Sequence, residues 1–252
     1  MEKTQPSTTN TSDVVAKLFA VGAHFGFTKR RRHPTTVPYL YGTKDGSDVI
    51  DLTKTAQQLE QATTIVAETV AAGKIVLFVG TKDEVATLVQ NAAQTCEAPY
   101  VVNRWIGGML TNFSEIKKRV KRLSDLQQEN LSGDLERKYT KKERVVIGRE
   151  MKKLDFNFGG IQTMERTPDL LVVVDPRYDE IAVAEARMLN IPVIGIMSSD
   201  SNASLLTYPV VMNDALQASV SYALELIVAA YQKGAASAPA ERTATPAKRS
   251  VR

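Results

Sequence analysis

The chain has few of the residues on which catalytic and metal sites depend. Its 252 residues include one cysteine, two histidines and one tryptophan. The single cysteine, Cys96, excludes a disulfide framework within the chain and fits a reducing compartment. Two histidines and one cysteine leave little material for a metal site or for a nucleophile–base pair. We therefore expect a binding protein with no metal, no cofactor and no catalysis.

Long apolar segments are also missing. Residues 1–13 contain no apolar signal-peptide core, and no apolar run in the sequence is long enough to span a bilayer. The sequence therefore predicts a soluble intracellular protein with no membrane partner. Its hydrophobic content of 43% is still enough for a core, either as one large domain or as a domain with an insertion.

The net positive charge is small, but the basic residues are clustered. The net charge is only +4, yet residues 114–153 hold 13 basic and 7 acidic residues. Residues 29–32 are all basic, and residues 234–252 carry four basic residues and one acidic residue. A single basic run is usually a solvated face. Three runs on a mildly acidic body favour a polyanionic partner such as nucleic acid.

Apolar runs alternate with amphipathic stretches along most of the chain. Strands are predicted at residues 74–79, 100–102, 169–174, 191–196 and 208–212. Helices are predicted at residues 13–20, 52–72, 83–95, 178–189 and 214–231. Lys44-Asp45-Gly46 separates two short apolar runs, 37–41 and 48–51, which predicts a hairpin. Strands alternating with helices predict an α/β fold with a doubly wound parallel sheet.

A basic insertion with a different period interrupts this alternation. Apolar residues recur every three or four positions in two stretches: Phe113, Ile116, Val120 and Leu123, then Ile147, Met151, Leu154 and Phe158. Asn130-Leu-Ser-Gly133 is a turn signal between them, and Thr140-Lys-Lys-Glu143 matches a capping box. Two narrow apolar stripes predict an antiparallel coiled-coil arm, roughly 20–30 Å long.

These patterns divide the chain into four parts. We expect a disordered leader at residues 1–12 and a discontinuous α/β domain made of residues 13–111 and 159–233. The coiled-coil arm occupies residues 112–158. A flexible basic tail follows at residues 234–252.

The segment Asn103-Arg-Trp-Ile-Gly-Gly-Met-Leu-Thr-Asn-Phe113 joins the body to the arm. It holds the only tryptophan, an arginine and a glycine pair, a combination that predicts close docking. Trp105 has two interpretations, a core anchor at the base of the arm and a platform for base stacking. The first is slightly favoured.

Other candidate groups are weaker. Gly80-Thr81-Lys82 follows a buried strand and opens a helix, where a phosphate could bind, but it lacks the spacing of a P-loop or a dinucleotide site. A simple turn is favoured, with Lys82 as a possible contact to the phosphate of a larger partner. Asp51, Asp175 and Asp200 lie near strand ends, where such aspartates are usually caps. Residues 185–187 are interpreted as an ordinary helix face.

Candidate RNA-binding residues come from the basic runs and from the segment before the arm. They are His24, Lys29, Arg30, Arg31, Arg32, Lys82, Arg104, Trp105, Thr111, Asn112, Lys117, Lys118, Arg119, Lys121 and Arg122. Structured RNA is favoured over DNA that is read base by base. The sequence has no helix-turn-helix, zinc-finger or basic-zipper pattern, and RNA is often bound through its shape and backbone.

Several motifs follow one another in a fixed order. They include Val21-Gly-Ala-His-Phe-Gly26, Phe78-Val-Gly-Thr-Lys82, Arg104-Trp-Ile-Gly-Gly-Met-Leu-Thr-Asn-Phe113, Asn157-Phe-Gly-Gly-Ile161 and Val174-Asp-Pro-Arg177. The series runs from about residue 13 to residue 233 and resembles the bacterial small-subunit ribosomal protein two family. The resemblance implies a flavodoxin-like domain with a protruding coiled-coil arm.

The same resemblance implies a structural role in translation. Family members contact small-subunit rRNA and neighbouring ribosomal proteins, and they help to recruit ribosomal protein one, which assists mRNA capture. The implied protein is not a homo-oligomer and resides on the cytoplasmic ribosome, with an organellar ribosome as an alternative. The chain departs from the family pattern at Phe27, at Arg32-His33 and between residues 197 and 213. Arg32 stands where the family has an aromatic residue, so cation–π and phosphate contacts are expected of it.

Two alternatives remain open from the sequence. One is a nucleotide- or sugar-phosphate-binding α/β enzyme that uses Gly80-Thr81-Lys82 and Asp175. The other is a protein-interaction module whose arm grips another protein, a role that is compatible with RNA binding.

Overall fold

The computed structural model describes residues 11–237. Most of the predicted leader and most of the predicted tail lie outside the described residues. The helices are α1 (Thr11–Ala20), α2 (Leu52–Ala71), α3 (Asp83–Thr95), α4 (Phe113–Leu131), α5 (Asp134–Lys138), α6 (Lys141–Phe158), α7 (Glu180–Met188) and α8 (Gln217–Ser237). The strands are β1 (Phe25–Thr28), β2 (Leu40–Lys44), β3 (Ser47–Ile50), β4 (Val76–Val79), β5 (Tyr100–Val101), β6 (Leu170–Val174), β7 (Val193–Met197) and β8 (Tyr208–Val211).

The main sheet has five parallel strands in the order β5-β4-β6-β7-β8. The first strand of this sheet along the chain therefore lies between the second and the third, which is the flavodoxin-like order. The predicted doubly wound α/β fold is confirmed. The order reverses between β4 and β6, so the carboxyl ends of these two strands border the crevice in which such folds bind ligands.

Side chains of the parallel strands alternate between two cores, one on each face of the sheet. Phe78 and Val172 point to the face covered by α2, α3 and α8. Leu77 and Val173 point to the opposite face, where they meet α7 and the residues at the base of the arm. Burial on both faces explains why these strands are continuous apolar runs in the sequence.

A second, antiparallel sheet in the order β1-β3-β2 lies before the main sheet in sequence. The predicted hairpin forms between β2 and β3, with Asp45 and Gly46 at positive φ in the turn. Two details differ from the prediction. Residues 37–39 belong to a 3-10 turn, Pro34–Tyr39, because prolines lack the N–H group that a strand ladder needs. Strand β1 was not predicted, and it pairs with β3.

The insertion folds as two long helices joined by the short α5. Arg122 on α4 pairs with Glu150 on α6, while Leu126, further along α4, packs near Ile147, which comes earlier in α6. The two helices therefore run antiparallel. The Glu143 carboxylate accepts a hydrogen bond of 2.8 Å from the N–H of Thr140, as the capping-box pattern predicts. A coiled-coil geometry for this pair remains a prediction.

The last helix packs closely on α2. A Cβ atom added at Gly234 would lie 2.5 Å from the carbonyl oxygen of Ala67, so this position requires glycine. Helix α8 begins at Gln217, later than predicted, and continues through Ser237, into the segment expected to be a flexible tail.

Candidate nucleic-acid interface

The loop that leads into the arm is held by one carboxylate, Glu185 on α7. Its Oε1 accepts hydrogen bonds from the Trp105 indole N–H at 3.1 Å and from the Gly108 N–H at 2.8 Å. Its Oε2 accepts from the N–H groups of Leu110 and Thr111 and from the Thr111 hydroxyl, at 3.0–3.1 Å. Gly108, with φ at +87°, allows the turn that brings these donors to one point.

Glu185 is 6% exposed, and two effects act on its acidity. Burial raises the pKa of the Glu185 carboxyl, but the donated hydrogen bonds lower it, and the net result is a pKa below the usual value. The group is therefore a charged, fully engaged hydrogen-bond acceptor. The interpretation of residues 185–187 as an ordinary helix face was wrong for this residue. The signal available in the sequence was an acidic residue between Ala182 and Ala186, two small apolar residues that the structure shows to be buried.

Trp105 lies in the interior at the base of the arm. It is 7% exposed and packs in the core formed by α7, the arm root and the main sheet. A ring buried to this extent offers no open face to a base. Of the two sequence interpretations, the geometry supports the core anchor.

Helix α4 buries its apolar stripe and exposes its cations. Ile116 and Leu123 are buried, whereas the five predicted basic residues, Lys117, Lys118, Arg119, Lys121 and Arg122, are all exposed. Three of them have partners within the protein: Lys117 reaches the carbonyl of Glu165, Lys118 pairs with Glu115, and Arg122 pairs with Glu150. These contacts are solvated and weak, so they can be exchanged for phosphate at little cost.

Arg104 and Asn112 flank the anchored loop, and both are exposed. The backbone and hydroxyl of Thr111 are committed to Glu185. Asn112 directly precedes α4 and therefore lies at the start of the basic helix.

The basic run at residues 29–32 lies elsewhere, over the carboxyl end of β7. The N–H of the next residue, His33, donates to the carbonyl of Ser199 at 2.8 Å. Lys29, Arg30 and Arg31 are exposed. In the described part of the chain, no hydrogen bond or ion pair links this turn with α4.

Arg32 differs from the other members of this run. Its Nε donates to the Asp48 carboxylate at 2.8 Å, its Nη2 makes an ion pair with the same group, and Thr43 accepts a further bond at 2.6 Å. The bond from Arg32 holds the pKa of the buried Asp48 below its usual value. The cation–π contact expected of Arg32 is made by Arg31, which lies 5.4 Å from the centre of the Phe27 ring.

His24 is enclosed by its neighbours. Its ring stacks on Phe19 at 4.5 Å and contacts Phe25 at 4.0 Å. Burial lowers the pKa of His24, which favours the neutral imidazole. The structure therefore shows an aromatic cluster at this position, and any contact of His24 with RNA stays a prediction.

Lys82 lies at the crevice between the carboxyl ends of β4 and β6, but it is engaged there. Its ammonium pairs with Asp175 at 3.1 Å. The hydroxyl and N–H of the adjacent Thr81 both donate to the buried Asp179, at 2.6 and 3.0 Å. The donors that could bind a phosphate are thus satisfied by carboxylates, which would also repel one.

Other site types find little support in the described structure. Between residues 11 and 237, no group of three or more His, Cys, Asp or Glu side chains is placed to hold a metal ion. Cys96 is buried, and burial raises the pKa of its thiol to about 11, so it is a poor nucleophile. None of the described helices is both long enough and apolar enough to cross a membrane.

Comparison with known proteins identifies the family. The family model described as ribosomal protein S2 matches residues 18–234. Small ribosomal subunit protein uS2c of Rhodomonas salina is 42% identical over 220 residues, which are 87% of this chain and 90% of that protein. The uS2 proteins of Mesoplasma florum and Gluconobacter oxydans are 42% and 43% identical, over 87% and 86% of this chain and 82% of each relative. The chain therefore belongs to the ribosomal protein S2 family, whose members are constituents of the small ribosomal subunit.

Proposed function

We propose that this protein binds small-subunit rRNA through the basic face of α4 and the exposed turn at residues 29–31. The observation that carries the proposal is the division of α4 into a buried apolar stripe and five exposed cations. A helix fixed along one edge by core contacts presents its lysines and arginines over the rest of its circumference, about 200° at 100° per residue. Such a broad basic face suits contact with the phosphates of a structured RNA backbone.

The anchoring of the arm supports the same function. Glu185 ties the segment from Trp105 to Thr111 to the body, and Thr111 comes just before α4 begins. The direction of the basic helix is therefore set by the folded body before RNA binds. Preorganisation of this kind lowers the entropy cost of binding.

Contact with neighbouring ribosomal proteins, including recruitment of ribosomal protein one, is part of the proposal. The distal arm supports it, because Leu131 is 88% exposed and Val145 and Val146 are at least half exposed. Exposed apolar side chains at the end of the arm favour contact with a neighbouring protein over contact with RNA phosphates alone.

An enzymatic role is less well supported. The crevice at the carboxyl ends of β4 and β6 holds the pairs Lys82–Asp175 and Thr81–Asp179, so its polar groups are already matched. We propose that these pairs stabilise the strand ends and that the protein has no catalytic activity.

The test removes charge from α4 and compares it with an equal removal from the body. Lys117, Lys118, Arg119, Lys121 and Arg122 are changed to alanine in one variant. The control changes five exposed lysines of the body to alanine: Lys17, Lys44, Lys54, Lys74 and Lys233. Affinity for small-subunit rRNA is measured by filter binding from low to high salt.

We expect the α4 variant to bind more weakly and to show a shallower dependence of affinity on salt. The slope of log K against log salt should fall by roughly 0.7–0.9 for each phosphate contact that is lost. The control variant should keep most of the affinity for rRNA and most of its dependence on salt. An equal loss in the two variants would show that net charge, and not the α4 face, determines binding.

A further inference from the structure

A cleft of about 490 Å³ lies at the root of the arm, between the end of α6 and the edge strand β5. Its volume lies within the range of roughly 300–1,000 Å³ that is typical of small-ligand sites. The lining includes Tyr100, Asn103, Lys152, Asp155, Phe156 and Asn157. Asn103 and Asn157 begin segments singled out in the sequence, and Lys152 lies in the basic run, but none of the six was a candidate RNA-binding residue or belongs to the basic face of α4.

Phe156 is an exposed aromatic residue near the end of α6. This helix buries Ile147 and Phe158 on its apolar side, whereas Phe156 is 58% exposed. A large exposed aromatic ring beside a cleft suits stacking with a flat ligand. Nucleobases are such ligands, since every base has a π face that can stack on an aromatic side chain.

The polar lining offers mainly hydrogen-bond acceptors. The Nδ2 group of Asn103 donates to the carbonyl of Phe156 at 2.6 Å, and that of Asn157 donates to the carbonyl of Lys153 at 2.9 Å. These bonds orient both amides and leave each with one N–H donor and with an Oδ1 acceptor that no donor among residues 11–237 occupies. The Asp155 carboxylate adds further acceptors. Acceptors of this kind match the exocyclic amine of adenine, cytosine or guanine, whereas uracil has none.

The charges of the cleft also fit a nucleotide. Lys152 is exposed and forms no ion pair within the described residues, so its ammonium can meet a phosphate. Asp155 repels phosphate and therefore keeps the sugar–phosphate backbone at the rim of the cleft. The base would then enter the cleft, and the backbone would stay near Lys152.

We propose that this cleft binds one unstacked RNA nucleotide whose base stacks on Phe156 and carries an exocyclic amine. The proposal rests on the rRNA binding proposed above, but it predicts something that α4 cannot supply. Contacts to phosphate carry no sequence information, whereas this cleft discriminates between bases.

The test is fluorescence anisotropy of the full-length protein with labelled single-stranded hexamers of adenosine and of uridine. The wild-type protein should bind the adenosine hexamer several-fold more tightly. Phe156→Ala should weaken adenosine binding roughly tenfold, within the range observed when an aromatic stacking partner is removed, and should abolish the preference. Phe156→Trp should retain both. Val146→Ala, which alters an equally exposed apolar residue of α6, should change neither.

Equal binding of the two hexamers by the wild-type protein would overturn the proposal, as would equal affinities of Phe156→Ala and Val146→Ala. The five-alanine variant of α4 separates the two proposals. It should weaken the binding of both hexamers by the same factor and keep the preference for adenosine. If rRNA binding proves insensitive to salt and to α4, the proposed function fails. If that binding holds but no base preference exists, only the cleft proposal fails.

Discussion

Adjacent arginines in the run at residues 29–32 have different roles. Arg31 is exposed and lies over Phe27, whereas Arg32 is the ion-pair partner of Asp48, whose side chain is fully buried. Removing one member of a buried pair leaves an uncompensated charge in the interior. A count of charges along the sequence treats the two arginines alike, whereas the structure shows that one is exposed and the other is paired with a buried carboxylate.

We expect Arg32→Ala to lower the free energy of unfolding by about 3 kcal/mol, because it strands the Asp48 carboxylate. Arg31→Ala should cost less than about 1 kcal/mol, the usual value of an exposed cation–π contact. Urea denaturation followed by circular dichroism measures both. Similar losses for the two variants would contradict this assignment. The RNA contribution of the turn is therefore best tested at Arg31.

At this scale the sequence predicted residue types better than residue roles. The exposed cations of α4 followed from the apolar period, because residues off the stripe face solvent. The role of Glu185 did not follow, since its five donors come from residues about 75 positions earlier in the chain. Contacts between distant segments leave no local pattern in a sequence.

The junction between α6 and β5 is the tightest contact at the base of the arm. A Cβ atom added at Gly160 would lie 2.3 Å from the carbonyl oxygen of Tyr100. Backbone at that distance cannot yield as a flexible side chain can. The second helix of the arm is thus fixed to the sheet edge by close approach of main chains, and the first by Glu185.

Gly160→Ala is expected to destabilise the protein by about 1–3 kcal/mol, because the new methyl group forces the two segments apart. Gly148→Ala is the matched control within α6, where an added Cβ meets nothing within 4 Å. It should stabilise the protein by about 0.5–1 kcal/mol through helix propensity. Thermal unfolding of both variants checks the opposite signs. Destabilisation by both would show that the effect of Gly160→Ala does not come from its close approach to Tyr100.

Elements with a long, regular pattern were predictable, and elements fixed by remote pairing were not. The helices α2, α3, α4 and α6 followed from their periods, and the buried strands followed from their continuous apolar runs. Strand β1 was missed because its sequence, Phe-Gly-Phe-Thr, is short, and its place is set by β3 and by Ser199, whose Oγ accepts a bond from Phe27 N–H. The start of α8 was misplaced because Asp214 turns inward toward Ser198 and does not open the helix.

For the molecule as a whole, the carboxyl edge of the main sheet concentrates acidic groups. Asp175, Asp200 and Asp214 follow β6, β7 and β8, and Lys82 follows β4. Asp214 is 1% exposed, and its Oδ1 has no hydrogen-bond partner in the described structure. Burial raises the pKa of Asp214 to about 7, with Asp175 and Asp200 adding to the rise and Lys82 opposing it.

This shift predicts how stability depends on pH. The folded protein holds the Asp214 proton up to about pH 7, while the unfolded chain releases it near pH 3.8, so this group favours the folded state less as pH rises between those values. Asp214→Asn removes the titration. Relative to the wild-type protein, the variant should gain stability from pH 4 to pH 8, by up to roughly 4 kcal/mol.

Denaturant titrations of both proteins at pH 4, 6 and 8 measure the difference, which cancels the contributions of other carboxylates. A difference that is the same at pH 4 and pH 8 would show that Asp214 does not titrate in this window.

The order of synthesis gives the Glu185 anchor a further consequence. The ribosome produces residues 105–111 well before residue 185, and at roughly 5–20 residues per second the delay is several seconds. Within that time the residues of both arm helices, α4 and α6, are completed at residue 158, still before the carboxylate that accepts from the loop N–H groups is made. The arm of a nascent chain therefore lacks its direction until α7 has emerged. A chain interrupted before residue 185 would contain the basic helix α4, but the Glu185 contacts that fix its orientation relative to the body would be missing.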